Sequence, residues 1–203
     1  MNIINSDIIL YEPIDAIKLL EKIEYAARTC YRSHDKISEG SAVKLISNAI
    51  ARGHESILEH VQLTFKVVCS RDVLAQWTRH RIAAYSVESQ RYCNYSKDKF
   101  NGFTFIMPEN ITDDMKAEIY QALEEDVNHY LNLLALGAKP EQARSILPNC
   151  TKTEFVWSAN IREIRHFIAL RTSDGAQADI AVLAHKLKNM LINNGLGVLV
   201  EDI

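Results

Sequence analysis

Between residues 61 and 68 polar and apolar positions alternate, with Val61, Leu63, Phe65 and Val67 on one side. That period of two, in a run rich in β-branched and aromatic residues, predicts a half-buried strand. Most of the chain follows the helical period instead. Pro13 breaks a short predicted strand at 7–11, and Ile17, Leu20, Ile23 and Ala27 then form one stripe of a helix over about 15–27. Ser41 is the expected cap of a second helix that buries Leu45, Ile46, Ala49 and Ile50, and Gly53 is its expected terminator. His54, Glu55 and Ser56 therefore fall at a turn.

Beyond the strand, Val73, Leu74 and Trp77 point inward on a helix predicted over 71–80, and an extended piece at 103–107 ends at Pro108. Thr112, followed by Asp113 and Asp114, caps a long helix to 136, where Gly137 stops it. Met115, Ile119, Leu123, Val127, Tyr130 and Leu134 make its stripe. Pro140 opens a short helix through 147 that Pro148 ends, and Phe155 and Trp157 mark another extended segment. Asn160 with Glu163 is a capping-box variant at the head of a helix to 171. The last helix runs over about 176–191, with Ala176, Ile180, Leu183, Leu187 and Met190 inward and His185, Lys186 and Lys188 largely outward. Mostly helices around a small sheet define the α+β class, in one expected domain of residues 1–203. Neither a glycine-rich strand-to-helix turn nor a P-loop is present, which disfavours a doubly wound nucleotide fold.

Composition narrows the partners. The 203 residues carry a formal net charge of −3, so no general positive field invites polymeric nucleic acid, and an anionic ligand must be met locally. The first seven residues lack a basic, then apolar, export pattern, and no run approaches the length of a membrane span. A cytoplasmic protein with no membrane partner is expected. The four cysteines, Cys30, Cys69, Cys93 and Cys150, show neither CxxC pairing nor metal-ligand clustering, so buried thiols in most cases and no metal are expected. Cys93 lies beside a polar cluster but has no adjacent His to activate it.

Candidate chemistry concentrates in Gln76-Trp77-Thr78-Arg79-His80-Arg81 and the following Ser86-Val87-Glu88-Ser89-Gln90-Arg91-Tyr92. An exposed, ion-paired turn would account for this composition. Guanidinium groups also bind phosphate in a bidentate manner, so a phosphate-bearing ligand is the sharper reading. A second polar set comprises Arg144, Asn160, His166 and Arg171. Asn160 reads equally as a helix cap, Arg144 as a surface charge, and Arg171 as a cation at a helix C-terminus. His54 and His60 bracket two glutamates at a spacing that is not the HExxH of a zinc protease, which favours a structural or ligand-contacting histidine.

Arg79-His80-Arg81, seven intervening residues and Ser89, continuing through Arg91 and Tyr92, resemble the signature of the flavin-dependent thymidylate synthases. Gly53-His54-Glu55 with Glu59-His60, Ala143-Arg144 with Leu147-Pro148, Asn160 through Phe167 to Leu170-Arg171, and Ala176-Gln177 follow in the family's order. The resemblance implies a small antiparallel sheet flanked by helices and a homotetramer whose active sites form where subunits meet. It implies FAD reduced by NADPH, 5,10-methylenetetrahydrofolate as the one-carbon donor, and conversion of deoxyuridylate (dUMP) to thymidylate with release of tetrahydrofolate.

By the same resemblance, His54, Ser56, Arg79, His80, Arg81, Asn160 and His166 contact the flavin. Gln76, Ser89, Gln90 and Arg91 bind the nucleotide, with Arg144 supplied by another subunit, and Arg171 lies against the uracil ring as the catalytic cation. Ser89 has no evident general base and is a binding residue. The chain departs from the family in three places: Val87 stands where many relatives carry an acid, Glu88 following one residue later; His166 stands where some have asparagine; Gly175 stands where some have histidine. Rival readings are another flavin-dependent oxidoreductase on this scaffold and a non-catalytic nucleotide-binding regulator.

Overall fold

The computed structural model describes residues 1–100 and 102–203, the side chain of Asp98 excepted. Strands β1 (Asn2–Ile4) and β2 (Asp7–Leu10) lead into α1 (Ala16–Thr29), where the Asp15 carboxylate accepts the Lys18 N–H at 3.1 Å. α2 (Ser41–Ala51) and a 3-10 turn at Glu55–His60 precede β3 (Gln62–Ser70). α3 (Arg71–Trp77), β4 (Ala83–Val87) and β5 (Thr104–Ile106) follow. The long α4 (Asp113–Ala135) and the short α5 (Pro140–Ala143) lead to β6 (Lys152–Asn160), α6 (Ile161–Arg171) and α7 (Ala178–Leu191). The architecture is α+β, a small antiparallel sheet of order β2-β3-β6-β4 with flanking helices.

Local signals explain most boundaries. Gly53, at φ 71°, follows the α2 cap, and its N–H reaches the Ile50 carbonyl at 2.8 Å while that of His54 reaches Ala49 at 2.8 Å. These paired bonds form a Schellman ending, which needs the left-handed backbone that glycine adopts at no steric cost. Gly137, at φ 92°, ends α4 the same way. Thr112 caps α4 by accepting the Met115 N–H at 3.3 Å.

Three local expectations are corrected. Ser41 does not cap α2: Gly40 holds that position, and the Ser41 hydroxyl contacts the buried Glu24 carboxylate at 2.8 Å. α3 ends at Trp77, three residues short of His80, because β4 already begins at Ala83. Ile17 and Met115, placed on buried stripes, are 71% and 55% exposed; α1 instead buries Leu19, Leu20, Ile23, Glu24 and Ala27.

The chain forms two compact units, one comprising Met1–Asp7, Val67–Arg79 and Ser86–Phe155, the other Ile8–Lys66, His80–Tyr85 and Val156–Ile203. In the first, β1 pairs in parallel with β5, Ile3 opposite Phe105, and Tyr95, Phe103, Phe105, Leu123, Tyr130 and Ala143 form a core. Phe103 meets Tyr130 edge-on at 5.0 Å, a favoured aromatic geometry. In the second unit, the alternation of β6 delivers Trp157 and Ala159 inward, where Trp157 packs between Phe65 at 5.5 Å and Phe167 at 5.4 Å.

Candidate active site

In the second unit β6 passes directly into α6. Asn160 ends the strand and caps the helix, its Oδ1 accepting the Glu163 N–H at 2.9 Å. The Glu163 carboxylate, 6% exposed, turns to His80, with Oε1 3.4 Å from Nδ1. His80 is 3% exposed. Its Nε2 accepts from Arg171 Nε at 3.1 Å, its ring stands edge-on to Phe167 at 4.9 Å, and the His166 ring lies 5.4 Å away. The Tyr85 hydroxyl donates to the His80 carbonyl at 2.6 Å, which fixes the backbone as well.

Acceptance at Nε2 assigns the proton of the neutral imidazole to Nδ1. That N–H is buried and, at 3.4 Å from Glu163, lacks the alignment of a hydrogen bond. Burial, then the charges of Arg171 and His166, push the His80 pKa down to about 4. Glu163, itself pushed up by burial, does not offset them. Burial also lowers Arg171, and pushes the Tyr85 phenol up to about 12, where it remains a donor. The result is a neutral histidine that orients a half-buried guanidinium at the end of α6.

The other flavin-site candidates of this unit are more open. Arg81 and His166 are exposed and Asn160 is half-buried. His54 and Ser56 are exposed and line a cleft of about 620 Å³ whose wall also carries Arg28, Lys44 and Arg52. That volume suits a small-molecule site, and the cations among its lining residues suit an anionic ligand. Arg28 is held in place by Glu24 at 2.8 Å.

In the first unit Gln76 lies half-buried on α3, and Arg79 follows it, exposed. Residues 89–93 form a tight turn in which the Ser89 carbonyl accepts the N–H groups of Tyr92 at 3.1 Å and Cys93 at 2.9 Å. Ser89 Oγ accepts the Arg91 N–H at 3.3 Å, and Gln90 is buried. Arg91 is exposed, donates to Glu141 at 2.9 Å and lies 5.2 Å from the Tyr92 ring centre. Arg144 is exposed at the end of α5. Glu88 accepts from the Tyr95 hydroxyl at 2.8 Å and from Lys152 at 2.7 Å, so its contacts anchor this loop.

Sequence reasoning overlooked Glu163 as a neighbour of His80, and also Tyr85 and Glu141. A signal for the first existed: an acid four residues before Phe167 shares its helix face and is carried toward the core. Among the cysteines, burial pushes Cys69 up to about 12 and Cys150 up to about 11, and also raises Cys93, which disfavours thiolates there. Cys30 is exposed and lines the cleft. Among the described residues no cluster of three or more His, Cys, Asp or Glu side chains could hold a metal, and no helix is long and apolar enough to cross a membrane.

The arginine held by a buried histidine, the cations lining the cleft and, in the other unit, Arg91 by the serine turn are each of a kind suited to phosphate. The family model described as thymidylate synthase complementing protein matches residues 14–193. The flavin-dependent thymidylate synthase of Pyrococcus furiosus is 36% identical over 180 residues, which cover 86% of this chain and 72% of the relative. That of Pyrococcus abyssi is 37% identical over 179 residues, 83% and 72% of the two chains, and that of Geobacter sulfurreducens 33% over 178 residues, 83% and 75%. This chain belongs to the flavin-dependent thymidylate synthase family.

Proposed function

We propose that the chain methylates dUMP to thymidylate with carbon from 5,10-methylenetetrahydrofolate and hydride from NADPH-reduced FAD, releasing tetrahydrofolate. The observation that carries this reading is the Arg171–His80 contact, a guanidinium oriented by a buried neutral imidazole within the family's matching segments. FAD, when bound, supplies a hydride store that no protein side chain provides. The cation-walled cleft bearing His54 and Ser56 fits such a phosphate-bearing cofactor.

Arg79 and Arg81 would neutralise the cofactor's phosphates, while His54, Ser56, His80, Asn160 and His166 would orient it. Gln76, Ser89, Gln90 and Arg91 would hold the nucleotide, with the Ser89 hydroxyl held in the turn by the Arg91 backbone N–H. Arg171 would stabilise negative charge developing on the pyrimidine, which removes the need for a covalent enzyme intermediate. Homotetramer assembly, with Arg144 supplied to the nucleotide by another copy, completes the reading, and the cytoplasm is its proposed location.

Deoxyuridylate-dependent oxidation of the reduced flavoprotein tests it. Oxygen-free mixing with dUMP and methylenetetrahydrofolate is expected to oxidise the flavin only when both are present. Equal oxidation without dUMP would favour a different oxidoreductase; nucleotide binding with no oxidation would favour a regulator.

A further inference from the structure

We propose that Glu163 is a positioning residue for the active site: its buried carboxyl, opposite His80 Nδ1, holds that nitrogen as the protonated one, so that Nε2 remains the acceptor that orients Arg171. The inference deepens the proposed function and rests on its assignment of Arg171 to the nucleotide.

His80 Nδ1 is shut away from solvent and has no hydrogen-bond partner, yet Glu163 Oε1 stands 3.4 Å from it. A buried N–H without a partner is costly, and a carboxyl at this distance needs only a small rotation to accept it. On the opposite side of the ring, Nε2 is already engaged by Arg171 Nε at 3.1 Å. An imidazole with the other tautomer would set an N–H against a guanidinium N–H, and the contact would be lost.

Glu163 therefore acts on Arg171 through the ring. Its own place is secured by the Asn160 cap on its backbone N–H at 2.9 Å, and the ring is pinned by Phe167 and by the Tyr85 bond to the His80 carbonyl. Among the described residues, His166 also faces the pair, its ring 5.4 Å from that of His80, and the Tyr85 phenol feels the Glu163 charge. Asn160, Glu163, His166, Phe167 and Arg171 belong to one continuous stretch of β6 and α6, which presents its side of the arrangement to His80 from a helix rather than a loop. Its effect is geometric, since a neutral imidazole passes on orientation without passing on charge.

Two substitutions separate orientation from mere packing. Glu163→Gln keeps the shape and an oxygen acceptor, whereas Glu163→Leu keeps the bulk and removes the acceptor. Nitrogen-15 NMR of histidine-labelled protein, read without cofactor or substrate, reports which ring nitrogen of His80 carries the proton. The wild type and Glu163→Gln are expected to show the Nδ1–H form, and Glu163→Leu a mixture or the Nε2–H form. In the flavin-loaded enzymes, Glu163→Leu is expected to raise the dUMP KM, or lower kcat, at least tenfold at unchanged flavin content, with Glu163→Gln within threefold of wild type.

A Glu163→Leu protein that is folded and keeps the Nδ1–H signal overturns the proposal, as does a Glu163→Gln protein that loses it. If the leucine variant does not fold, the glutamine variant and the wild-type tautomer still decide: a wild-type Nε2–H form refutes the inference outright. Because the NMR readout needs no turnover, an absence of thymidylate synthesis in the wild type would defeat the proposed reaction and leave the tautomer result standing.

Discussion

Two regions of this protein handle cations in opposite ways. In the unit built on β6 and α6, Arg171 is half-buried and its Nε is bonded to a histidine that is itself 3% exposed. In the other unit, Arg91 is exposed and meets Glu141 across an accessible ion pair. The chain's own packing sets the first orientation, at the cost of desolvating Glu163 and His80. The second is cheap to form and cheap to exchange for a ligand oxygen. A half-buried, pre-set guanidinium suits charge that develops during a reaction, and an exposed one suits capture of a phosphate.

The largest expected effect breaks the buried side. Arg171→Ala should lower thymidylate formation by about 10²- to 10³-fold, the usual cost of removing one group that stabilises developing charge. Flavin absorbance of the purified protein should stay near wild type. Undiminished turnover would remove Arg171 from the mechanism.

Acid should expose the cost of that same region. His80 has a folded pKa of about 4 against an ordinary value of 6.5, so its contribution to stability is present above 6.5 and is lost as pH falls through 4. Full protonation is worth about 3 kcal/mol. Glu163, raised by burial, works with the opposite sign and recovers part of that loss as it takes up a proton. Urea midpoints measured between pH 7 and 4 should therefore decline, and His80→Phe should flatten the decline.

The exposed side should yield the smallest change. Glu141→Gln removes an accessible ion pair and should shift stability by less than about 1 kcal/mol. Arg91→Ala should raise the dUMP KM about tenfold while leaving the melting temperature nearly unchanged. A substantial loss of melting temperature on Arg91→Ala would make this cation part of the scaffold.

The contrast also explains what could be read from sequence. Period-two and helical stripes disclosed β3, α4 and α7, because each is long enough to repeat its buried positions along one face. β1 escaped because its partner, β5, is about a hundred residues away, and three residues carry no period of their own. β4 escaped because its exposed and half-buried residues show little apolar patterning. At the site, the Arg79-His80-Arg81 signature marked the segments proposed to bear ligands, but no local pattern revealed that His80 would meet α6 across 83 residues to Glu163 and 91 to Arg171. Ser41 shows the same limit: its sequence suits a cap, and the long-range partner Glu24 claims its hydroxyl.

The central claim is tested most directly by quantifying thymidylate and tetrahydrofolate in one reaction of the FAD-loaded protein with dUMP, methylenetetrahydrofolate and NADPH. The account predicts equal amounts of the two products, with formation dependent on FAD. Dihydrofolate in place of tetrahydrofolate, or thymidylate formed at the same rate by protein stripped of flavin, would contradict it.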